Sequence, residues 1–492
     1  MTDAPATNSV EKLATHISGF DQIALGGLPR GRATLVGGPA GSGKTLFAAQ
    51  FLAAGAAHDQ SGVFVTFEES PAAIRRNLAS LDGDLPDWEA AGRWAFIDAR
   101  LQSPEALDEL LTLIAEAVRR VAAQRVALDS LNALFSRSEP GVGARRDVVR
   151  LVSGLDRLGV TSVLTAEGVD EDSVEAFVVD NVVLLRNTLA DEKRRRTIEI
   201  LKLRGAAHHK GEFPFIVQPG TGMTVSPLSA IQLTQKSSNL RITSGNTELD
   251  ALCGGGYFRD SVTLVSGATG TGKTLMSTEF IGGGTSVGER CLLLGYEESR
   301  DQLFRNAMSW GRDFAAMERM GLLEVSCLYP EAMPLEEHLL QIKRFIDDFG
   351  PSRVALDSLS ALERVASPRG FREFAIDLSA FLKEREIAGL LTATTPSLLG
   401  GFSVTDSHIS TIADSIILLR YVELRAEMRR GITLLKMRGS AHDRAIREFT
   451  IDDVGMHIGY AFHNLSGILA GNPHEVLAAT RDRIPHRHDD EG

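Results

Sequence analysis

One short pattern, present twice, constrains this 492-residue chain more than anything else in it. Gly38-Pro39-Ala40-Gly41-Ser42-Gly43-Lys44-Thr45 returns as Gly267-Ala268-Thr269-Gly270-Thr271-Gly272-Lys273-Thr274. The form GxxxxGK[ST] bends the backbone so that its N–H groups converge, and a following helix N-terminus completes a cradle for phosphate. Each copy follows an apolar run and precedes a helical stretch, Leu46 to Ala54 or Leu275 to Ile281, which is the context the pattern requires. A chance glycine-rich turn is a fair alternative for one match, and a negligible one for two in register.

Other segments recur in the same order. Glu68-Glu69 returns as Glu297-Glu298, Arg125 to Leu131 is repeated residue for residue at Arg353 to Leu359, and Lys202-Leu203-Arg204-Gly205 returns as Lys436-Met437-Arg438-Gly439. A period of about 230 residues is domain-sized, far longer than solenoid repeats, and indicates duplication of a whole domain. Each copy alternates short β-branched runs (Ala33 to Val36, Val63 to Phe67, Val126 to Leu128) with helical-period segments such as Pro104 to Val121. That alternation predicts the α/β class, a mostly parallel sheet flanked by helices. The polar stretch Gln235 to Asn239 separates the copies. The expected domains are 1–234 and 242–470, with a linker at 235–241 and a tail at 471–492.

Composition narrows the function classes. Hydrophobic residues at 43% and charged residues at 24% fit a folded soluble protein. With 52 Lys plus Arg against 64 Asp plus Glu the net charge is −12, a poor footprint for wrapping nucleic acid, and no nucleic-acid partner is expected. Cys253, Cys291 and Cys327 form no CxxC pair, which argues against a disulfide framework or zinc site and fits a reducing compartment. The N-terminal residues lack a secretory pattern and no apolar run nears the roughly 20 residues of a membrane span. A cytoplasmic protein without membrane association is expected.

The recurring polar residues are those that ATP chemistry needs. Lys44 and Lys273 would reach the β- and γ-phosphates, while Thr45 and Thr274 would offer hydroxyls to Mg²⁺. Asp129 and Asp357 close apolar strands, so their carboxylates emerge at the carboxyl end of the sheet, where they could share the Mg²⁺ shell or merely cap a helix. Glu68, Glu69, Glu297 and Glu298 also end strands, as catalytic carboxylates that orient and deprotonate an attacking water or hydroxyl, or as a solvated acidic turn. Lys202, Arg204 and His208, with Lys436, Arg438 and His442, lie far along each copy and could serve a neighbouring subunit's nucleotide or form surface ion pairs. Ser410 and Thr411, read alone, are capping residues.

Together these motifs resemble the KaiC family of circadian-clock ATPases over nearly the whole chain. The likeness rests on Gly267 to Thr274, Tyr296-Glu297-Glu298-Ser299, Asn306 to Trp310, Asp357 to Leu362, Thr405-Asp406-Ser407-His408-Ile409-Ser410-Thr411 and Lys436 to Ser440. It implies two tandem RecA-like P-loop NTPase domains per chain, a homohexamer stacked as a double ring, and ATP with Mg²⁺ at each subunit interface. At the first nucleotide it implies Gly41, Ser42, Gly43, Lys44, Thr45, Leu46, Ser80, Lys202, Leu203, Arg204 and His208. At the second it implies Thr269, Gly270, Thr271, Gly272, Lys273, Thr274, Leu275, Trp310, Arg430, Lys436, Met437, Arg438, Ser440 and His442. Mg²⁺ would be held by Thr45 and Asp129, and by Thr274, Glu297 and Asp357.

The resemblance further implies an ATPase in the first domain and, in the second, an ATPase that is also a serine/threonine autokinase with autophosphatase activity, acting as a timing or regulatory protein. Its acceptors would be Ser410 and Thr411, with Thr405 as an alternative. The aligned residues of the first copy, Ala176 and Phe177, have no hydroxyl. A KaiB-type partner is implied too, but the C-terminal tail, ending Ile484-Pro485-His486-Arg487-His488-Asp489-Asp490, does not resemble the family's activator-binding segment and argues against a KaiA-type activator. The competing readings are a RecA- or DnaB-like motor stimulated by nucleic acid, which needs a basic channel, and a scaffold that only holds nucleotide.

Overall fold

The computed structural model of the chain describes residues 10–79, 85–99, 107–132, 142–169, 173–190, 193–226, 237–395, 412–424, 426–462, 465–466, 468 and 474–475. The chain divides into two compact units, Met1–Gln232 and Leu233–Gly492. Residues Ser238 and Arg241 of the expected linker are bonded into the second unit. The Ser238 amide donates to Asp260 Oδ2 at 2.9 Å, and Arg241 pairs with Phe258 in a short ladder.

Each unit is built on one nine-stranded sheet. In the first we number β1 (Ala33–Gly37), β2 (Gly62–Thr66), β3 (Trp94–Asp98), β4 (Arg125–Asp129), β5 (Thr161–Ala166), β6 (Asn181–Ala190), β7 (Lys193–Leu203), β8 (Glu212–Gln218) and β9 (Gly222–Val225). Their spatial order is β3-β2-β4-β5-β1-β6-β7-β8-β9. The six strands from β3 to β6 are parallel and the remainder antiparallel. The second unit repeats this order with β10 (Val262–Gly267), β11 (Cys291–Gly295), β12 (Leu323–Cys327), β13 (Arg353–Asp357), β14 (Ala388–Thr394), β15 (Ser415–Leu424), β16 (Glu427–Met437), β17 (Arg447–Ile451) and β18 (Met456–Ala461).

The central strands are buried on both faces, as parallel strands covered by helices must be. One face carries the phosphate-loop helix, α1 (Lys44–Ala57) or α2 (Lys273–Thr285). The other carries amphipathic helices such as Leu107–Val121, whose buried Leu110, Ile114, Ala117 and Val118 form one stripe. No helix among the described residues is long and apolar enough to cross a membrane.

A buried arginine pins each phosphate-loop helix to its sheet. Arg125 is 0% exposed and donates to the Phe51 carbonyl (2.7 Å), the Ala14 carbonyl (2.7 Å) and Gln60 Oε1. Arg353 repeats this with the carbonyls of Phe280 (3.1 Å) and Thr243 (2.7 Å), and with Glu289 Oε2 at 2.5 Å. Burial lowers the Arg125 guanidinium to about 10. The helices admit these side chains only at glycines, since a Cβ on Gly55 would lie 2.5 Å from Arg125 Cδ, and one on Gly284 would lie 2.7 Å from Arg353 Cδ.

One buried contact differs between the copies. In the first unit Gln50 of α1 clasps β9, accepting from the Met223 amide (2.8 Å) and donating to the Met223 and Thr221 carbonyls. Its counterpart in α2 is Glu279, which accepts from the Met456 amide (2.8 Å), while Asn246, standing where the first unit has Ile17, donates to the Met456 carbonyl (2.6 Å). Burial pushes the Glu279 carboxyl up to about 7, against the pull of the Met456 amide, Asn246, Arg312 and His457. Between its ordinary value and about 7 the folded state keeps a proton that the unfolded chain releases. Stability of the second unit therefore falls as pH rises through that window, by up to about 1.4 kcal/mol per pH unit, and levels off above it. Urea titrations from pH 5 to 8 should show the E279Q variant gaining on the wild type until about pH 7. A difference that stays constant with pH would contradict this.

Candidate functional site

The register of the parallel ladder decides which side chains meet. Gly37 at the end of β1 lies opposite Ala166 of β5 and Leu184 of β6, and Thr66 of β2 lies opposite Asp129 of β4. The phosphate loop, Asp129 and the glutamate pair therefore leave the sheet at the same edge. Gly43 precedes α1 in the left-handed region with φ 101°, and Gly272 does so before α2 with φ 108°. Only glycine takes that conformation without steric cost, and it lets the chain turn directly into the helix.

Lys44 Nζ lies over its own loop, donating to the Gly38 (3.0 Å) and Pro39 (2.9 Å) carbonyls, and contacts Glu167 Oε1 at 3.3 Å. Lys273 makes the same two loop bonds, to Gly267 (2.9 Å) and Ala268 (3.0 Å). Burial lowers the Lys273 ammonium, while Asp357 and Glu297 raise it. Thr45 lies beside Asp129 and Thr274 beside Asp357, near enough to lower each carboxyl. A hydroxyl beside a carboxylate is an all-oxygen, hard donor set, which suits Mg²⁺ shared with phosphates. Burial pushes both Asp carboxyls up, while the hydrogen bond from a strand threonine, Thr165 or Thr392, and the neighbouring loop threonine draw them down.

The two members of each glutamate pair are held differently. Glu69 accepts from Asn77 (2.9 Å) and Glu298 from Asn306 (2.8 Å). Burial raises the Glu298 carboxyl, and Asp357 raises it further. Glu68 accepts from Ser130 at 2.5 Å, immediately beyond Asp129, whereas Glu297 pairs with Arg364 at 3.5 Å. The peptide bonds Asp129–Ser130 and Asp357–Ser358 are both cis.

The candidate cations lie at the other edge. Lys202 pairs with Val182 and Leu203 with Asn181, and Asn181 lies opposite Thr34, near the start of β1. Lys436 likewise pairs with Ile416, opposite Leu264. Arg204 bridges to Asp180 at 2.7 Å and Arg438 to Asp414 at 3.4 Å; Lys436 donates to the Ala413 carbonyl at 2.7 Å. Burial lowers both Lys202 and Lys436. Register thus separates these residues from the phosphate loop of their own domain.

The remaining expected contacts are mixed. Gly41, Ser42, Thr269, Gly270 and Thr271 lie in the loops, with Thr271 closing its loop onto the Ala268 carbonyl at 2.8 Å. Leu275, Leu203 and Met437 are buried in hydrophobic cores, and Leu46 packs at the edge of one. Trp310 ends the helix Arg300–Ser309 and packs against the second core while remaining partly exposed. Arg430 lies 5.8 Å over the Tyr421 ring. His208 is lowered by burial, His442 is half-buried, and Ser440 accepts from Arg241 at 2.6 Å. Ser80, Thr405, Ser410 and Thr411 lie outside the described residues.

The sequence reading does not single out Thr165, Thr392 or Asn77, and takes Asn306 only as the start of a family segment. Each recurs, in Leu164-Thr165-Ala166 and Leu391-Thr392-Ala393, and in Arg76-Asn77 and Arg305-Asn306, so a finer search for repeats would have found them.

Comparison with known proteins agrees with this geometry. Residues 13–230 and 242–461 each match the family described as ATPase: KaiC. The chain is 56% identical to the circadian clock protein KaiC3 of Synechocystis sp., with 97% of each chain aligned. It is 50% identical to the circadian clock oscillator protein KaiC of Thermostichus vulcanus, covering 95% of this chain and 92% of that one. It is 48% identical to the KaiC of Synechococcus elongatus, covering 98% and 96%. Both of its ATPase domains are matched and the likeness runs nearly end to end, so the chain belongs to the KaiC family.

Proposed function

We propose that the protein is a Mg²⁺-dependent ATPase and serine/threonine autokinase with autophosphatase activity, working as a homohexameric double ring in timing or regulation. The observation that carries this reading is the separation of Lys202, Arg204, Lys436 and Arg438 from the phosphate loop of their own domain. Cations placed there would complete a nucleotide site on another subunit, as head-to-tail contacts closed into a ring allow. Mg²⁺, held by Thr45 with Asp129 and by Thr274 with Asp357 and Glu297, would neutralise charge on the transferring phosphoryl group. Glu68 and Glu297 would take the proton of the attacking water or hydroxyl, and Glu69 and Glu298, each held by an asparagine, would support them.

Autokinase activity belongs to the second domain alone. Ser410 and Thr411 stand three and two residues before Ala413, whose carbonyl accepts from Lys436. The first domain has Ala176 and Phe177 in their place. Transfer would move the γ-phosphoryl group of a neighbour's ATP to the Ser410 or Thr411 oxygen, releasing ADP, with the hydroxyl proton passing to Glu297. A KaiB-like partner fits this reading; the tail gives no basis for a KaiA-like one.

Three outcomes test the proposal. Native mass measurement with ATP should give six chains, and a monomer in ATP would remove the basis for sites shared between subunits. In chains whose other phosphate loop is silenced by K273A or K44A, E68Q or E297Q should lower turnover roughly 10²–10⁴-fold. Labelled ATP should place phosphate on Ser410 and Thr411, with labelling lost in the S410A/T411A variant; continued hydrolysis without protein phosphate would discard the kinase half.

A further inference from the structure

The strand lying between the phosphate-loop strand and the Asp strand carries, in both domains, a threonine that the proposed chemistry has not used. Thr165 of β5 and Thr392 of β14 are 0% exposed. Parallel strands buried on both faces favour Val, Ile and Leu, and a buried hydroxyl is costly unless it is bonded. Both threonines satisfy that hydroxyl in the same way, by donating to Oδ1 of the Asp at the end of the adjacent strand. The other acceptor near Thr165, the Leu128 carbonyl, is 3.4 Å away.

The same strand end is fixed from both sides. The Thr165 carbonyl accepts from the Leu131 amide at 2.8 Å, strapping the segment after Asp129 to β5. In the second domain the Thr394 amide donates to Ser360 Oγ at 2.8 Å, strapping β14 to the helix after Asp357. Each carboxylate is thus held by its strand threonine, with the loop threonine, Thr45 or Thr274, beside it. A donor fixed by its own strand restricts the carboxylate's rotation and sets the direction of its remaining lone pairs. Partners of this kind orient metal-binding carboxylates, and their loss typically weakens metal binding about 10–100-fold.

We propose that Thr165 and Thr392 are positioning residues that orient the Asp129 and Asp357 carboxylates toward the divalent cation accompanying the nucleotide. The inference rests on the reading of Asp129 and Asp357 as Mg²⁺ residues. The test uses the full-length chain with K273A, so that only the first phosphate loop binds, and follows a fluorescent ATP analogue as Mg²⁺ is titrated. The T165V variant should need about 10–100-fold more Mg²⁺ for half-saturation while keeping its affinity in EDTA, and T165S should restore the wild-type titration. T392V and T392S in a K44A chain should repeat the result. An unmoved Mg²⁺ midpoint in T165V, a matching loss of affinity in EDTA, or a T165S titration no better than T165V would overturn the proposal. A D129N control separates the two readings. If D129N shifts the midpoint and T165V does not, only the positioning role falls; if D129N does not shift it, the assignment of Asp129 falls and the positioning role with it.

Discussion

In each domain, hydrogen bonding among three parallel strands sets the distance between a phosphate cradle and a carboxylate. β5 lies between β1 and β4, as β14 lies between β10 and β13. Shifting that ladder by one residue would move every side chain of the slipped strand to the other face and carry Asp129 away from Thr45. The buried guanidiniums of Arg125 and Arg353 guard this register, because each ties the first residue of the Asp strand to the helix that follows the phosphate loop. Removing such a group would leave the Ala14 or Thr243 carbonyl without the arginine it accepts from, and an acceptor left unpaired costs more than the bond itself contributes. The chemistry at one edge of the sheet is therefore stabilised by packing at the other.

Much of the site was legible because the chain states it twice. The phosphate loops, the Asp residues and the glutamate pairs differ in type from their apolar surroundings, and repetition separates them from chance. Thr165 and Thr392 escaped notice because threonine is an ordinary β-strand residue, and nothing in one dimension tells a packing threonine from one that donates to an Asp. Arg125 was visible only as part of a repeated run, since its burial depends on Gly55, seventy residues earlier in the chain. Where Lys202 and Arg204 lie was not legible either. Their edge of the sheet follows from the pairing of β6 with β7, a register that composition does not encode.

The copies also act as references for each other. They share the loop bonds of the lysine, the threonine clasp on the Asp and the asparagine on the second glutamate. They part where Glu68 meets Ser130 but Glu297 meets Arg364, and where Lys44 contacts Glu167. They part again in the core, where Ile17 with Gln50 is replaced by Asn246 with Glu279. The last exchange is coordinated: Gln50 both donates and accepts, so when Glu279 stands in its place as an acceptor, a separate donor is needed to reach the same strand, and Asn246 supplies it.

Strand direction has a consequence for symmetry. A domain with a phosphate cradle at one edge and cations at the opposite edge has a head and a tail. A two-fold axis makes each contact reciprocal, whereas head-to-tail contact sets different surfaces of the two chains together. If the proposed sites are shared head to tail, that contact must either close on itself or continue without limit as a filament. The handedness and tilt of one interface would then decide between a finite particle and a polymer, and under the proposed function each completed site would belong to a junction between chains.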